Sequence, residues 1–170
     1  MRIRRATTGD AMAFAALARS EIERGLPHGW TGARIARLLA APDTNAYALV
    51  PPRGAGVGGF SIARLGLDDG HLMLHAIAPG LRRRGFGREL LDWQLRAAVT
   101  AGIVALTLEV RADNAAARRF YRARGFADER RLPLYYAGRE DAVRMRLAPL
   151  VANGAPPPSS ARSDRGGQRR

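Results

Sequence analysis

The most restrictive stretch of this chain is a junction in which an alternating apolar run, HLMLHAIAP (71–79), leads through LRRRGFG (81–87) into ELLDWQLRAAVT (89–100). A strand that stops at proline, a glycine-bracketed loop with three consecutive arginines and a helix of period 3.6 must follow one another directly. The glycines let the backbone approach a partner closely, the arginines suit an anionic one, and the helix start offers free N–H groups. RNA, a nucleotide and a solvated surface all meet these conditions. Two phosphate-binding loops do not fit. A dinucleotide fingerprint needs a third glycine where Leu90 stands, and a P-loop needs a lysine, of which the chain has none.

Around this junction the elements alternate. Residues 1–6 read as a strand, and 10–24 as a helix with Met12, Leu17 and Ile22 as its apolar positions among alanines. Thr31 suits the N-cap of a second helix carrying Ile35, Leu38 and Leu39. Residues 46–50 and 57–65 form a hairpin about the turn at 51–54, and 71–78 the strand before the loop. A helix over 86–100, an apolar strand over 103–110 and a helix over 114–124 closed by Gly125 come next, then strands over 126–131 and 141–147. The pattern predicts an α/β (α+β) domain over residues 1–150. The tail VANGAPPPSSARSDRGGQRR (151–170) has no apolar periodicity and reads as a disordered basic appendage.

Composition narrows the class further. A chain of 170 residues, 46% hydrophobic and 25% charged, is large enough for one core without staples. No cysteine is present, which removes disulfides, thiolate metal sites and a thiol nucleophile. No run approaches the ~20 apolar residues of a membrane span, and MRIRR does not open a signal peptide, so a cytoplasmic, non-membrane protein is expected. The net charge of +13 is carried entirely by arginine. It is compatible with nucleic acid, ribosomal surroundings or a phosphate-rich cofactor, and it does not choose among them.

Three spaced motifs do choose. Arg82-Arg83-Arg84-Gly85-Phe86-Gly87 resembles the Arg/Gln-x-x-Gly-x-Gly/Ala signature of the GNAT superfamily of N-acetyltransferases. LEVRADNAAARRFYRARGF (108–126) is similar to the segment that follows it in the RimI-type branch, and Tyr135-Tyr136, Gly138-Arg139-Glu140-Asp141-Ala142 and Met145 to that branch's ending. The resemblance is close over about residues 70–147 and holds by element order alone before that. It implies a mixed central sheet of about six to seven strands flanked by about four helices, with a splayed strand pair forming an acetyl-CoA cleft.

The resemblance also implies roles. Backbone amides from Arg83 to Arg88 would hold the pyrophosphate, with Arg82, Arg83, Arg84 and Arg88 supplying attraction and Gly85, Phe86 and Gly87 the close approach. His75, Ala76 and Ile77 would line the pantetheine arm, with the Ile77 amide near the thioester oxygen. Ala78 departs from the branch, where an acidic residue often precedes the proline. Glu109 is either a solvent-facing strand-end carboxylate or, in the branch's terms, the base for the substrate ammonium, its pKa raised by burial. Tyr121 is either core beside Phe120 or the general acid for the CoA thiolate, with Phe120 packing while Tyr121 faces the cofactor. Asn114 reads as helix cap and cofactor contact. Trp30 in LPHGWT, where the branch carries a Phe-Pro-Trp-Ser-like loop, is an acceptor wall or a turn residue; Tyr135 and Tyr136 are peptide-binding or strand aromatics.

The expected activity is direct acetyl transfer in a ternary complex to a primary amine, foremost a protein N-terminal α-amine. A small-molecule amine acceptor and a non-catalytic RNA- or ribosome-binding module are the alternatives, and a monomer or homodimer is expected. His71 and His75, read on one face of a strand without cysteine or an organised carboxylate set, do not suggest a metal site. Ser61 lacks the second glycine of a hydrolase elbow.

Overall fold

The computed structural model describes residues 1–52 and 56–150. The appendage over 151–170 and the tip of the 51–54 turn lie outside the described residues. The chain alternates as the spacing requires: β1 (Arg2–Arg5), α1 (Ala11–Glu21), α2 (Gly32–Ala40), β2 (Thr44–Val50), β3 (Gly59–Leu65), β4 (Asp69–Ile77), α3 (Phe86–Thr100), β5 (Ala105–Arg111), α4 (Ala115–Arg122), β6 (Ala127–Tyr136) and β7 (Glu140–Leu147). Single 3-10 turns precede α1 and α3.

The seven strands form one sheet in the order β1-β2-β3-β4-β5-β7-β6. Every neighbouring pair is antiparallel except β4 and β5, which α3 joins as a parallel crossover. That parallel ladder is short. It runs from Asp69↔Ala105 to His71↔Thr107 and stops, although β4 continues to Ile77 and β5 to Arg111. The two strands therefore splay in the middle of the sheet.

Each face of the sheet carries its own core. On one face α1 and α2 cover Ala46, Ala48, Phe60, Ile62, Leu74 and Ala76, with Phe14 stacked on Phe60 at 4.4 Å between centroids. On the other, Leu91 and Leu95 of α3 and Tyr121 of α4 close over Leu72, Leu106, Leu108 and Met145. Gln94 of α3 is buried and accepts from the Ser61 hydroxyl, which pins the helix to β3. Helix starts follow the expected chemistry: the Thr31 hydroxyl accepts from Arg34 N, and the Asn114 side chain from Ala117 N.

Several expectations need correction. Met12 is 73% exposed, and the buried face of α1 is Ala11, Phe14 and Ala18, small residues that bring the helix close to the sheet. The helix ends at Glu21, and β6 runs past the expected 131 to Tyr136, across an irregularity between Leu132 and Tyr136. A bulge on β4 has wider consequences. Leu72 pairs with Ala63 and Leu74 with Ile62, so Met73 is the extra residue. Leu72 belongs to the core under α3 and Leu74 to the core under α1. His71 and His75, read as sharing a face, therefore point to opposite sides.

Candidate active site

The loop before α3 shows how its glycines differ. Gly85 sits at φ 84°, the left-handed region, as the residue immediately before the helix, and nothing lies within 4 Å of where its Cβ would stand. The left-handed backbone by itself requires glycine there. Gly87 has ordinary backbone angles, and an added Cβ would meet Ile77, His75 and Phe120 only at 3.5–3.8 Å. The protein alone tolerates a methyl at Gly87, which leaves an open wall beside His75.

The arginines also divide. Arg82 is committed: its Nε donates to the Ile77 carbonyl at 3.1 Å and its Nη2 to the buried Glu21 carboxylate. It ties the loop to the end of α1 instead of standing free for an anion. Arg88 lies 3.8 Å from Asp92 one turn along the helix. Arg83, at φ 61°, and Arg84 are exposed and form no ion pair with any described residue. With the amides at the start of α3, they are the cationic groups left to a phosphate.

Below the loop, on the α3–α4 face, His75 stacks at 5.9 Å on Phe120 and meets the Tyr121 ring edge-on at 6.4 Å. Both its ring nitrogens are buried without a hydrogen-bond partner. Burial lowers its pKa to about 4, against a smaller opposing effect of the Gly87 backbone, so the ring is neutral at physiological pH. Tyr121 is 8% exposed in the core against Phe126, while Phe120 is the half-buried ring beside Gly87. Burial and the neighbouring Tyr136 raise the Tyr121 pKa, which keeps its hydroxyl protonated.

Glu109 lies on β5 two residues beyond the end of the parallel ladder, its side chain only 6% exposed. Its position is set by register, opposite Arg144 of β7, whose Nε donates to Oε1 at 2.7 Å. The other oxygen, Oε2, is 3.0 Å from His71 Nε2. Burial alone would raise the Glu109 pKa, but the contacts with His71 and Arg144 outweigh it and the net direction is down. The expected raised pKa is thus overturned: Glu109 is a carboxylate held ionised by two basic neighbours. Tyr135 and Tyr136 complete the cluster, packed edge-to-face at 5.1 Å, and burial with the nearby Glu109 charge raises the Tyr135 pKa. Burial, with Tyr135 and Glu109 nearby, raises the Tyr136 pKa, and Arg111 lies over its ring at 5.9 Å.

Sequence reasoning named Glu109, Tyr121, Tyr135 and Tyr136; the fold brings Tyr135 and Tyr136 near Glu109, while Tyr121 lies on the α3–α4 face beside His75, with Tyr136 as its neighbour. That reasoning missed His71, Arg144 and Asp141. The Asp141 carboxylate takes both Arg131 Nε and Leu134 N, holding the kinked end of β6 that carries the two tyrosines. Trp30 is held within its own loop. Its amide and that of Gly29 donate to the buried Glu23, Arg34 covers its ring at 4.0 Å, and it packs on the α1–α2 core. A hollow of about 640 Å³ beside β6 and β7 holds none of the cluster and is walled by Arg118, Asp128, Arg131 and Asp141, which pair with one another.

The splay, the loop and the carboxylate coincide with a family match. Residues 17–126 match the model of the Acetyltransferase (GNAT) family. The chain belongs to that family. Among GNAT relatives, it is 42% identical over 91 residues to the [Ribosomal protein bS18]-alanine N-acetyltransferase of Salmonella typhimurium, and 40% identical over 91 residues to that of Escherichia coli. These alignments take in 52% of the chain and 62% of each relative, so the chain spans less than two thirds of the curated relatives it matches. Among solved GNAT structures it superposes on the ribosomal-protein-S18-alanine N-acetyltransferase of Escherichia coli with TM-score 0.76 and 29% identity, covering 89% of this chain and 95% of that one. Ard1 from Thermoplasma volcanium gives TM-score 0.75 at 27% identity, covering 88% and 98%. The mixed seven-stranded sheet with four helices is the GNAT fold, and no helix among the described residues is long and apolar enough to cross a membrane.

Proposed function

We propose that the chain is an acetyl-CoA-dependent N-acetyltransferase acting on a protein N-terminal α-amine. The observation that carries this reading is a buried, ionised Glu109 with Tyr135 and Tyr136 nearby where a strand pair splays, and a buried Tyr121 beside His75 on the face that meets the glycine loop. Three features support the cofactor: an open wall at Gly87, amides at a helix start with Arg83 and Arg84 unpaired among the described residues, and His75 nitrogens without a partner among them beside Gly87.

In this reading the amides from Arg83 to Arg88 bind the pyrophosphate, and the β4 edge released by the splay offers Ile77 N as a donor to an oxyanion. Acetyl-CoA, when bound, supplies an activated carbonyl and a thiolate leaving group. Glu109 accepts the proton of the substrate ammonium, with Arg144 holding Oε1 and His71 beside Oε2. Tyr121, kept protonated by burial, holds the proton for the departing sulfur. Tyr135, 49% exposed beside Glu109, is placed to hydrogen-bond a peptide backbone. The chain contains no cysteine, so the amine attacks directly rather than through an acyl-cysteine.

The RNA-binding alternative loses support in the fold, because arginines such as Arg4, Arg64, Arg118, Arg124, Arg131 and Arg144 are tied to carboxylates. The proposed function also rests on the bS18-alanine activity named for the relatives, and it is tested by an acceptor screen. N-terminal peptides should be acetylated from acetyl-CoA in preference to polyamines, amino acids and aminoglycosides, with initial-rate plots that intersect. Parallel plots would remove the ternary complex, and turnover confined to small amines would remove the acceptor assignment.

A further inference from the structure

A second hollow, of about 630 Å³, lies between the C-terminal half of α3 and the first residues of β2. Ala46 and Ala48 of β2 belong to the core beneath α1 and α2, so the alternate residues Asn45 and Tyr47 face α3. Trp93 of α3 borders the hollow and is 38% exposed; its ring is 5.5 Å from that of Tyr47, and the Arg96 guanidinium lies 5.3 Å from it. One wall is therefore aromatic and open to water. Two polar groups at the hollow are left unanswered. Asn45 is 7% exposed, and its Oδ1 and the Oγ1 of Thr44 are buried with no hydrogen-bond partner among the described residues. Buried oxygens in that state are uncommon, because each has given up water and gained nothing in return.

The charges around the hollow point one way. Arg5 and Arg96 line it and form no ion pair with any described residue. Asp43, the one carboxylate among the lining residues, is held by Arg64, whose Nε donates to Oδ2 at 2.8 Å. An occupant that answers these groups needs a flat π face for Trp93 and Tyr47, an N–H group for Asn45 Oδ1 and an anionic group for the two arginines. We propose that the hollow is a second ligand site and takes a single nucleotide with an amino-bearing base: the ring against Trp93, the amino edge toward Asn45 and Thr44, the phosphate toward Arg5 and Arg96. Asparagine suits such an edge because its carboxamide both donates and accepts. A nucleic-acid strand would need a groove with successive aromatic platforms, whereas Trp93 and Tyr47 make one platform and two arginines match one phosphate.

The site stands apart from the proposed acetyl transfer. Helix α3 begins at the glycine loop, and at ~1.5 Å per residue Thr100, which lines the hollow, lies about 20 Å along the helix from Gly87. The sheet separates them as well. Leu49, at the far end of β2, pairs with Gly59 and through it with Ile77, whereas Thr44 at the hollow pairs with Arg64 at the other end of β3. Only α3 spans both. Gln94, next to Trp93, donates to the Asn45 carbonyl and accepts from the Ser61 hydroxyl, so the helix is already fastened to β2 and β3 beside the hollow. A nucleotide resting on Trp93 and Asn45 braces the same helix, and its binding adds to that of acetyl-CoA instead of competing with it.

The test titrates AMP into the full chain, with and without saturating acetyl-CoA, and reads calorimetry and tryptophan fluorescence. AMP should bind in both conditions and quench a signal that Trp93→Phe removes. Arg96→Gln, at an exposed helix position, and Asn45→Leu should each weaken AMP about tenfold while stabilisation by acetyl-CoA stays as in the parent. Adenosine and inorganic phosphate, each lacking half of the recognised groups, should also bind about tenfold more weakly than AMP. No binding up to about 10 mM AMP, displacement of AMP by acetyl-CoA, or equal affinity in the parent and Arg96→Gln overturns the proposal. So does a single-stranded oligoadenylate that binds where AMP does not. The titration without acetyl-CoA decides the nucleotide site even if no amine is acetylated.

Discussion

His75 allows one consequence of the fold to be worked through to a number. In the unfolded chain its imidazole titrates near the ordinary 6.5, and in the fold burial lowers that to about 4. Between these values the unfolded state binds more protons, so stability rises with pH across the window, is complete above about 6.5 and is lost as pH falls toward 4. The full window at ~1.4 kcal/mol per pH unit caps the effect at about 3.4 kcal/mol. Between pH 7 and pH 5 the same linkage gives about 2 kcal/mol. The perturbation is His75→Leu, which keeps an apolar side chain against Phe120 and Gly87 and removes the titrating ring along with its two unpartnered nitrogens. Urea unfolding at pH 7, 6 and 5, with parent and variant side by side, cancels every other titrating group. The difference in unfolding free energy should shift by about 2 kcal/mol in favour of the variant at the acid end, or about 1 M in urea midpoint. A difference that stays flat from pH 7 to pH 5 would show that the ring is solvated or hydrogen-bonded in the folded protein, and the argument from its burial would fail.

Other measurements probe separate parts of the site. Gly87→Ala should leave the melting temperature of the protein alone unchanged or slightly raised, because its Cβ has room and alanine favours the helix, yet it should abolish stabilisation by acetyl-CoA, as read by thermal shift. Glu109→Gln should lower kcat about 10²–10⁴-fold while stabilisation by acetyl-CoA persists; an unchanged rate would remove Glu109 from the chemistry. Tyr121→Phe should slow turnover about 10²-fold, by a smaller factor with a thioester whose thiol is more acidic, and an equal loss for both thioesters would argue against its role as acid. Thr31→Ala should cost about 1 kcal/mol through the lost cap of α2, a fall of roughly 3 °C in a chain of this size, with activity at permissive temperature retained.

Local chemistry made the loop readable in advance. The strand ending at Pro79, the glycines and the helix over 86–100 each follow from neighbours in sequence, and α3 begins at Phe86 as that spacing requires. Glu109 and Tyr121 could be named because motif and element lie together. Their surroundings could not, because those depend on pairings between distant segments. Arg144 meets Glu109 only once β5 and β7 fall into register across 35 residues. His71 reaches it because the parallel register sets His71 opposite Thr107, and the extra residue at Met73 then turns His75 to the other face. No local pattern marks that insertion, so a strict alternation placed the two histidines together. The direction of the Glu109 pKa reversed for the same reason, since burial was foreseeable and its two basic neighbours were not.

The parallel ladder of three residue pairs between β4 and β5 also bears on how the molecule opens. It is the narrowest seam in an otherwise fully laddered sheet, and with the α3 crossover it holds a four-stranded leaf to a three-stranded one. Sub-global opening should begin there, with the amides of β4 beyond His71 exchanging faster than those of β2 and β3. A ligand seated along that seam would act as the absent rungs of the ladder. Occupancy of the cleft would then be read as cooperativity between the leaves, through slowed exchange far from the bound molecule as well as beside it.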